Sequence, residues 1–305
     1  MNKVAIVACS NGQKREYEKQ ITELVEWFEK HAIEVQCSPC IYEQDGVFPG
    51  TVKERADALM KGFSDEAVEE IYDISGGDIA NQILDFLDYQ VIQKSKAVFW
   101  GYSDLTTIIN AIYTMTGKSS VLFQVKNMVR GSSNELQQQR FFNRQDLFDP
   151  KVTFVNGEHM EGVVVGGNIR CFLKLAGTKY FPDLTDKVLL LEALGGDIPQ
   201  ISTYLAQLSQ LGAFKKVSGI LLGTFTALEK NGGDVCELVK SYAGELPIAK
   251  TSEIGHDDDS KAIKIGECIF LGNQNSDQKA IDRSGMSAKA DQNRAPGLRK
   301  CRLEC

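Results

Sequence analysis

The sequence predicts an α/β protein of two domains, and three observations predict it. Its 305 residues suggest two units of about 150 residues, each large enough to bury its own core. Short β-branched apolar runs alternate with segments of helical periodicity, the pattern of parallel strands joined by crossover helices. A polar stretch over about 126–157 interrupts the alternation, which then resumes with a new apolar set. These features place an N-terminal parallel α/β domain at 1–145, a smaller C-terminal α/β domain at 146–283 and a polar segment of unassigned structure at 284–305.

In the first half, Lys3 to Cys9 reads as a strand ended by Ser10-Asn-Gly12. Residues 16–31 carry Ile21, Leu24, Val25 and Phe28 at helical spacing. A short strand at Ile33 to Val35 precedes a helix over Val52 to Phe63, with Ala56, Leu59, Met60 and Phe63 on one face. Ile71 to Ile74 is a strand running into Gly76-Gly77, and Ile79 to Leu87 is helical. Ala97 to Gly101 is a buried strand, followed by a helix from Asp104 to about Met115 and a strand within Ser119 to Gln124. A helix near 135–146 belongs to the connection. In the second half, strands are expected at Gly162–Val165, Val188–Leu191 and Val217–Leu222, with a helix over 198–211 and shorter strands at Ala262–Ile265 and Cys268–Leu271.

Composition narrows the function. The 34 basic and 41 acidic residues give a net charge of -7, which argues against a nucleic-acid partner bound through a basic face. No stretch approaches the roughly 20 apolar residues of a membrane span, and the N-terminal apolar run is too short for a signal peptide, so a cytoplasmic protein without a membrane partner is expected. The eight cysteines are scattered. Cys37-Ser-Pro-Cys40 has redox or zinc spacing, but no second pair completes a metal site, so reduced thiols and no metal are expected. Histidine is scarce: only His31, His159 and His256 can supply an imidazole.

The most informative segment is Ala97-Val-Phe-Trp-Gly-Tyr-Ser103-Asp104-Leu-Thr-Thr-Ile-Ile-Asn-Ala-Ile-Tyr. Ser103 falls between a buried strand and a helix, the position of a nucleophile elbow, where the following backbone N–H groups face a developing oxyanion. The pattern is Gly-x-Ser-x-Leu rather than Gly-x-Ser-x-Gly. Taken alone, the segment is better explained by Ser103 or Asp104 capping the helix.

Other features shift that balance. Ser75-Gly76-Gly77-Asp78 is another strand-to-helix turn, whose glycines let a backbone N–H approach a ligand closely. Glu192 ends an apolar strand, where α/β proteins place ligand-facing groups. His256 sits in a polar loop after the strand-like Pro247 to Thr251. Each has an ordinary reading as a capped turn, a solvated carboxylate or a surface histidine. Together they supply Ser, Glu and His in chain order, a set able to deprotonate a serine and hold the resulting imidazolium. His31 ends a helix, where a cation suits the dipole, and His159 lies in a turn.

These residues resemble the LD-carboxypeptidase family, which includes the microcin C immunity peptidases. The matching text is Lys53-Glu-Arg-Ala56, Gly76-Gly77, Gly101-Tyr-Ser-Asp-Leu-Thr106, Asn110-Ala-Ile-Tyr113 with Thr116-Gly117, Gly166-Gly-Asn168, Leu175-Ala-Gly-Thr-Lys-Tyr180, Pro182-Asp183, Leu191-Glu192 and Gly255-His256. The resemblance covers about 1–271 and implies an active site in the cleft between domains. It implies nucleophile Ser103, orienting acid Glu192 and general base His256, with an oxyanion hole from the backbone N–H groups of Asp104 and Gly77. Gly76 and Asp78 would flank the substrate. It also implies no cofactor, a homodimer and a small peptide substrate, the family's usual reaction being release of D-alanine from murein tetrapeptides. Ser75 and Asp78 stand where many murein enzymes have Arg and an aromatic residue, and Gly-Gly-x-x-x-Asn81 is nearer the immunity type, which cleaves a peptidyl nucleotide. The Gly-Pro usual after the later strand is missing around Leu122-Phe-Gln-Val. A non-catalytic two-lobed binding protein is the rival from another class.

Overall fold

The computed structural model describes residues 1–272, so the expected segment 284–305 lies outside the described residues. Two six-stranded sheets carry the fold. The first contains β1 (Lys3–Val7), β2 (Glu34–Cys37), β3 (Glu70–Asp73), β4 (Val98–Gly101) and β5 (Ser120–Leu122). The second contains β6 (Thr153–Asn156), β7 (His159–Asn168), β8 (Lys187–Ala193), β9 (Gly219–Phe225) and β10 (Ile248–Lys250). Two late strands are shared out: β11 (Ile263–Ile265) and β12 (Cys268–Gly272).

In the first sheet β2, β1, β3, β4 and β5 lie side by side and parallel. This is a doubly wound order, with its crevice where the winding reverses, beyond the carboxyl ends of β1 and β3. The expected α/β class is therefore present in this half. The second sheet runs β12-β7-β8-β9-β10-β6, parallel from β7 to β10 and antiparallel at both edges. Residues 263–265, assigned by the sequence to the second domain, pair antiparallel with β5 of the first sheet, and the chain then returns to the second sheet at β12.

Local sequence accounts for most elements. Glu18–Lys30 buries Ile21, Leu24, Trp27 and Phe28 on one side, so Trp27 rather than Val25 completes the buried stripe. Val52–Ser64 begins with a capping box: the Thr51 hydroxyl accepts from the Glu54 N–H at 3.2 Å, and the Glu54 carboxylate accepts from the Thr51 N–H at 2.8 Å. The helix expected over Ile79 to Leu87 is instead a 3₁₀ helix, Ala80–Phe86. Its entry is held from outside: the Ala80 N–H donates to the Asp104 carboxylate at 2.8 Å, and the Ile79 carbonyl accepts from Arg55 at 3.3 Å. β6 and the helices Tyr89–Lys94 and Val235–Ala243 are not among the elements expected from sequence, although the last buries Val235, Val239 and Ala243 along one face.

The two halves share one apolar core. Ile108, Ile109 and Ile112 of the helix Thr106–Thr116 continue the first domain's cluster into Val164, Leu175 and Leu190 of the second. Asn110 fixes this contact. Its amide donates to the Gly166 carbonyl at 2.8 Å, and its Oδ1 accepts from the Gly166 N–H at 2.9 Å. The Asn168 N–H adds a bond to Thr106 Oγ1 at 3.0 Å. Gly166 and Gly167 both have positive φ, and a Cβ at Gly167 would press on the Thr106 side chain. The Gly166-Gly-Asn168 text is thus a docking element between domains. Among the described cysteines, Cys9, Cys37, Cys40, Cys171 and Cys236 are free thiols.

Candidate active site

Ser103 opens the 3₁₀ turn Ser103–Leu105 between β4 and the helix Thr106–Thr116, with φ of 53°. A non-glycine residue in this left-handed region costs on the order of 1–3 kcal/mol and persists only where its surroundings impose it. Neither Ser103 nor Asp104 caps the helix that follows it through its side chain; the starts of Ser103–Leu105 and Thr106–Thr116 have no side-chain cap. Capping therefore does not explain the serine, and the strand-to-helix elbow does.

His256 and Glu192 come from the other domain. His256 Nε2 lies 3.3 Å from Ser103 Oγ. Its Nδ1 lies 2.8 Å from a carboxylate oxygen of Glu192, which is fully buried at the end of β8. That close contact is not aligned as a hydrogen bond, and among the described residues neither Glu192 oxygen has a hydrogen-bond donor. The Tyr102 ring packs edge-on against the imidazole at 4.5 Å between centroids. Burial pushes the Tyr102 phenol well up, so it stays protonated beside Glu192.

The turn after β3 approaches from the crevice side. Gly77 has φ of 123°, and a Cβ there would fall on the Asn11 side chain. Asn11 in turn accepts from the Asp78 N–H at 3.0 Å and donates its own N–H to the Gly76 carbonyl at 3.1 Å. Below the turn, Asp73 accepts from the Cys9 N–H and from the N–H and hydroxyl of Ser75, while burial pushes its carboxyl up. Buried Arg55 donates to the Cys9 carbonyl at 2.6 Å and to Gln82 at 2.7 Å, tying the loops after β1 and β3 together. The Asp78 carboxylate is engaged by Arg170, whose hydrogen bond holds it below the usual carboxylate range.

The structure thus brings Ser103, Glu192 and His256 together, with Asp104 adjacent and the Gly76–Asp78 turn beside it. His31 and His159 stand apart. His31 Nδ1 pairs with the Trp27 carbonyl, and His159 starts β7 in an exposed position.

Residues 4–122 match the LD-carboxypeptidase N-terminal domain, and residues 161–271 match the LD-carboxypeptidase C-terminal domain. The chain belongs to the LD-carboxypeptidase family. It is similar to a protein of Bacillus subtilis named "Probable murein peptide carboxypeptidase", at 26% identity over 288 residues, 89% of each chain. It is also similar to the microcin C7 self-immunity protein MccF of Escherichia coli, at 23% identity over 235 residues, 65% of this chain and 68% of that one. A solved structure of MccF in complex with glutamyl sulfamoyl guanosine superposes with a TM-score of 0.80 at 17% identity, covering 90% of this chain and 96% of that one. The muramoyltetrapeptide carboxypeptidase from Oxalobacter formigenes superposes at 0.77 and 21% identity, covering 89% and 95%. Membership makes the chain a hydrolase of the carboxypeptidase kind.

The sequence reading missed the supports of this LD-carboxypeptidase site. The loop carrying His256 is fastened by the polar connection between domains. Buried Gln137 donates to the Asp258 and Ser260 carbonyls at 2.8 Å each, and Asn127 donates to the Asp257 carbonyl at 3.1 Å. Arg170 and Lys174 reach the Gly77–Asp78 turn from the second domain. Their signal was adjacency to Gly166-Gly-Asn168, but nothing in their spacing names the partner. No helix among the described residues is long and apolar enough to cross a membrane.

Proposed function

We propose that this chain is a serine-type LD-carboxypeptidase that releases D-alanine from murein tetrapeptides. The observation that carries the proposal is the contact of His256 Nε2 with the hydroxyl of Ser103 on a left-handed turn, with Glu192 behind the imidazole. His256 takes the Ser103 proton as the oxygen attacks the scissile carbonyl. Buried Glu192 stabilises the imidazolium that forms. The backbone N–H groups of Asp104 and Gly77 receive the oxyanion. His256 then protonates the leaving amine of D-alanine, and water attacks the acyl-enzyme with His256 again acting as base. These residues complete the sequence of steps without a cofactor.

The names of the relatives support murein peptides as the substrate class. The second reading, cleavage of a peptidyl or aminoacyl nucleotide, is favoured by Ser75 and Asp78 flanking the glycine pair and by the likeness to MccF. A cytoplasmic location belongs to the proposal as the sequence expectation, and a homodimer through the family resemblance alone. The test is turnover of a murein tetrapeptide and of glutamyl sulfamoyl guanosine side by side, read by mass spectrometry, with Ser103→Ala as control. D-Alanine release lost in Ser103→Ala supports the proposal. Turnover retained in that variant overturns the nucleophile, and cleavage of the nucleotide alone replaces the substrate.

A further inference from the structure

Asp104 follows the nucleophile, and its carboxylate is fully buried. It accepts from the Ser10 hydroxyl at 2.7 Å and the Ala80 N–H at 2.8 Å, both neutral donors. The ion-pair partner comes from the other domain: Lys174 Nζ lies 2.6 Å from Asp104 Oδ1. The same ammonium donates to the Asp78 carbonyl at 2.9 Å and stands 3.6 Å from the Asp78 carboxylate. Beside it, Arg170 donates to the Gly77 carbonyl at 3.1 Å and pairs with Asp78. Arg55 is also buried nearby, but it donates to the Cys9 and Ile79 carbonyls and to Gln82.

We propose that Lys174 is a positioning residue for the oxyanion hole: it neutralises the buried Asp104 carboxylate next to Ser103 and pins the Gly77–Asp78 turn opposite it. The proposal rests on the serine-peptidase reading above. An uncompensated carboxylate beside the nucleophile would oppose the negative charge that develops on the substrate oxygen, and in a buried site that repulsion is weakly screened. Because Lys174 follows the short helix Ile169–Leu173, which starts at the docking glycines, both backbone donors are set only when the two domains are docked.

The test uses the full chain and four variants: Lys174→Met, Lys174→Arg, Asp104→Asn and the double variant Lys174→Met with Asp104→Asn. Lys174→Met is expected to lower kcat on the order of 10- to 100-fold with KM nearly unchanged, the loss typical of a disturbed oxyanion donor. Lys174→Arg retains most of the activity, which also covers the case in which the methionine variant folds poorly. The double variant recovers at least about tenfold over Lys174→Met, because removing both charges leaves no orphaned carboxylate. Ser103 labelling by a fluorophosphonate follows the same order. Hydrogen exchange of the 75–80 turn is faster in Lys174→Met, a readout that needs no turnover. Wild-type kcat and unchanged exchange in Lys174→Met overturn the proposal, as does a double variant whose loss is the product of the two single losses. A wild-type protein that is labelled at Ser103 but leaves murein tetrapeptide intact overturns only the substrate reading.

Discussion

Ser103 and His256 are 153 positions apart in the chain, yet their side chains meet at 3.3 Å across the domain boundary. The serine follows β4 of the first sheet and the histidine lies in the loop after β10, so domain docking assembles the proposed catalytic pair. Each domain alone is expected to be inactive.

Replacing Glu192 by Gln keeps the shape of the buried side chain but removes the charge facing the imidazole. We expect kcat to fall on the order of 10³- to 10⁴-fold, with KM little changed. His256→Gln should cost about as much as Ser103→Ala, and the two losses should not multiply, because the residues act as a unit. Steady-state kinetics of the single and double variants checks this. Multiplicative losses would separate the two residues mechanistically.

Gly77→Ala should damage the site without unfolding the protein. The position has φ of 123° and its Cβ would occupy the space of the Asn11 side chain. The turn must shift, and with it one of the two proposed oxyanion donors. A kcat loss of about 10²-fold with an unchanged circular dichroism spectrum is expected. Adding Asn11→Gly relieves the clash but not the backbone strain, so recovery should be partial.

Gln137→Leu removes two hydrogen bonds that hold the His256 loop and leaves the Asp258 and Ser260 carbonyls without that donor. The expected cost is about 1–3 kcal/mol in chemical denaturation. Activity should fall as well, because the loop positions the base. Stability lost with full activity retained would show that the loop holds its shape without this strap.

Lys126 predicts a pH dependence. Burial is the main cause that lowers its ammonium to about 8, with the nearby Arg130 charge adding to it. The unfolded chain holds this proton up to its ordinary pKa near 10.5, so between these values the unfolded state binds more protons and stability rises with pH. The penalty is present in full below about pH 8 and is relieved as the pH approaches 10.5. Lys126→Met should therefore be more stable than the wild type at pH 7, by about 1–3 kcal/mol, less whatever its bond to Gln13 contributes. The advantage should vanish near pH 10.5. A difference independent of pH would assign the effect to packing.

How far the sequence could be read depends on whether a signal is local. The elbow was legible because a buried strand, a serine and an apolar helix follow one another within Ala97 to Tyr113. His256 was legible partly by scarcity, since only three histidines exist. The 3₁₀ character of Ala80–Phe86 was not legible: Ala80, Ile83, Leu84 and Leu87 are spaced as in an α-helix, while Asp104 and Arg55 hold its entry from elsewhere in the fold. The helix Val235–Ala243 had a readable start in Asp234, which caps the Cys236 and Glu237 N–H groups.

By itself the sequence determined the α/β class, the strand-to-helix turns and the three residues that meet at the site. Hydrophobic period and turn chemistry are properties of neighbouring residues, so they survive without a structure. Tertiary structure alone decided that residues 263–265 complete the first sheet, that Gln137 straps the histidine loop and that Lys174 faces Asp104. The physical reason is that a strand edge or a buried polar group must find a partner, but its chemistry does not say where along the chain that partner lies. Only the docked domains bring Lys174 within 2.6 Å of a carboxylate 70 positions away.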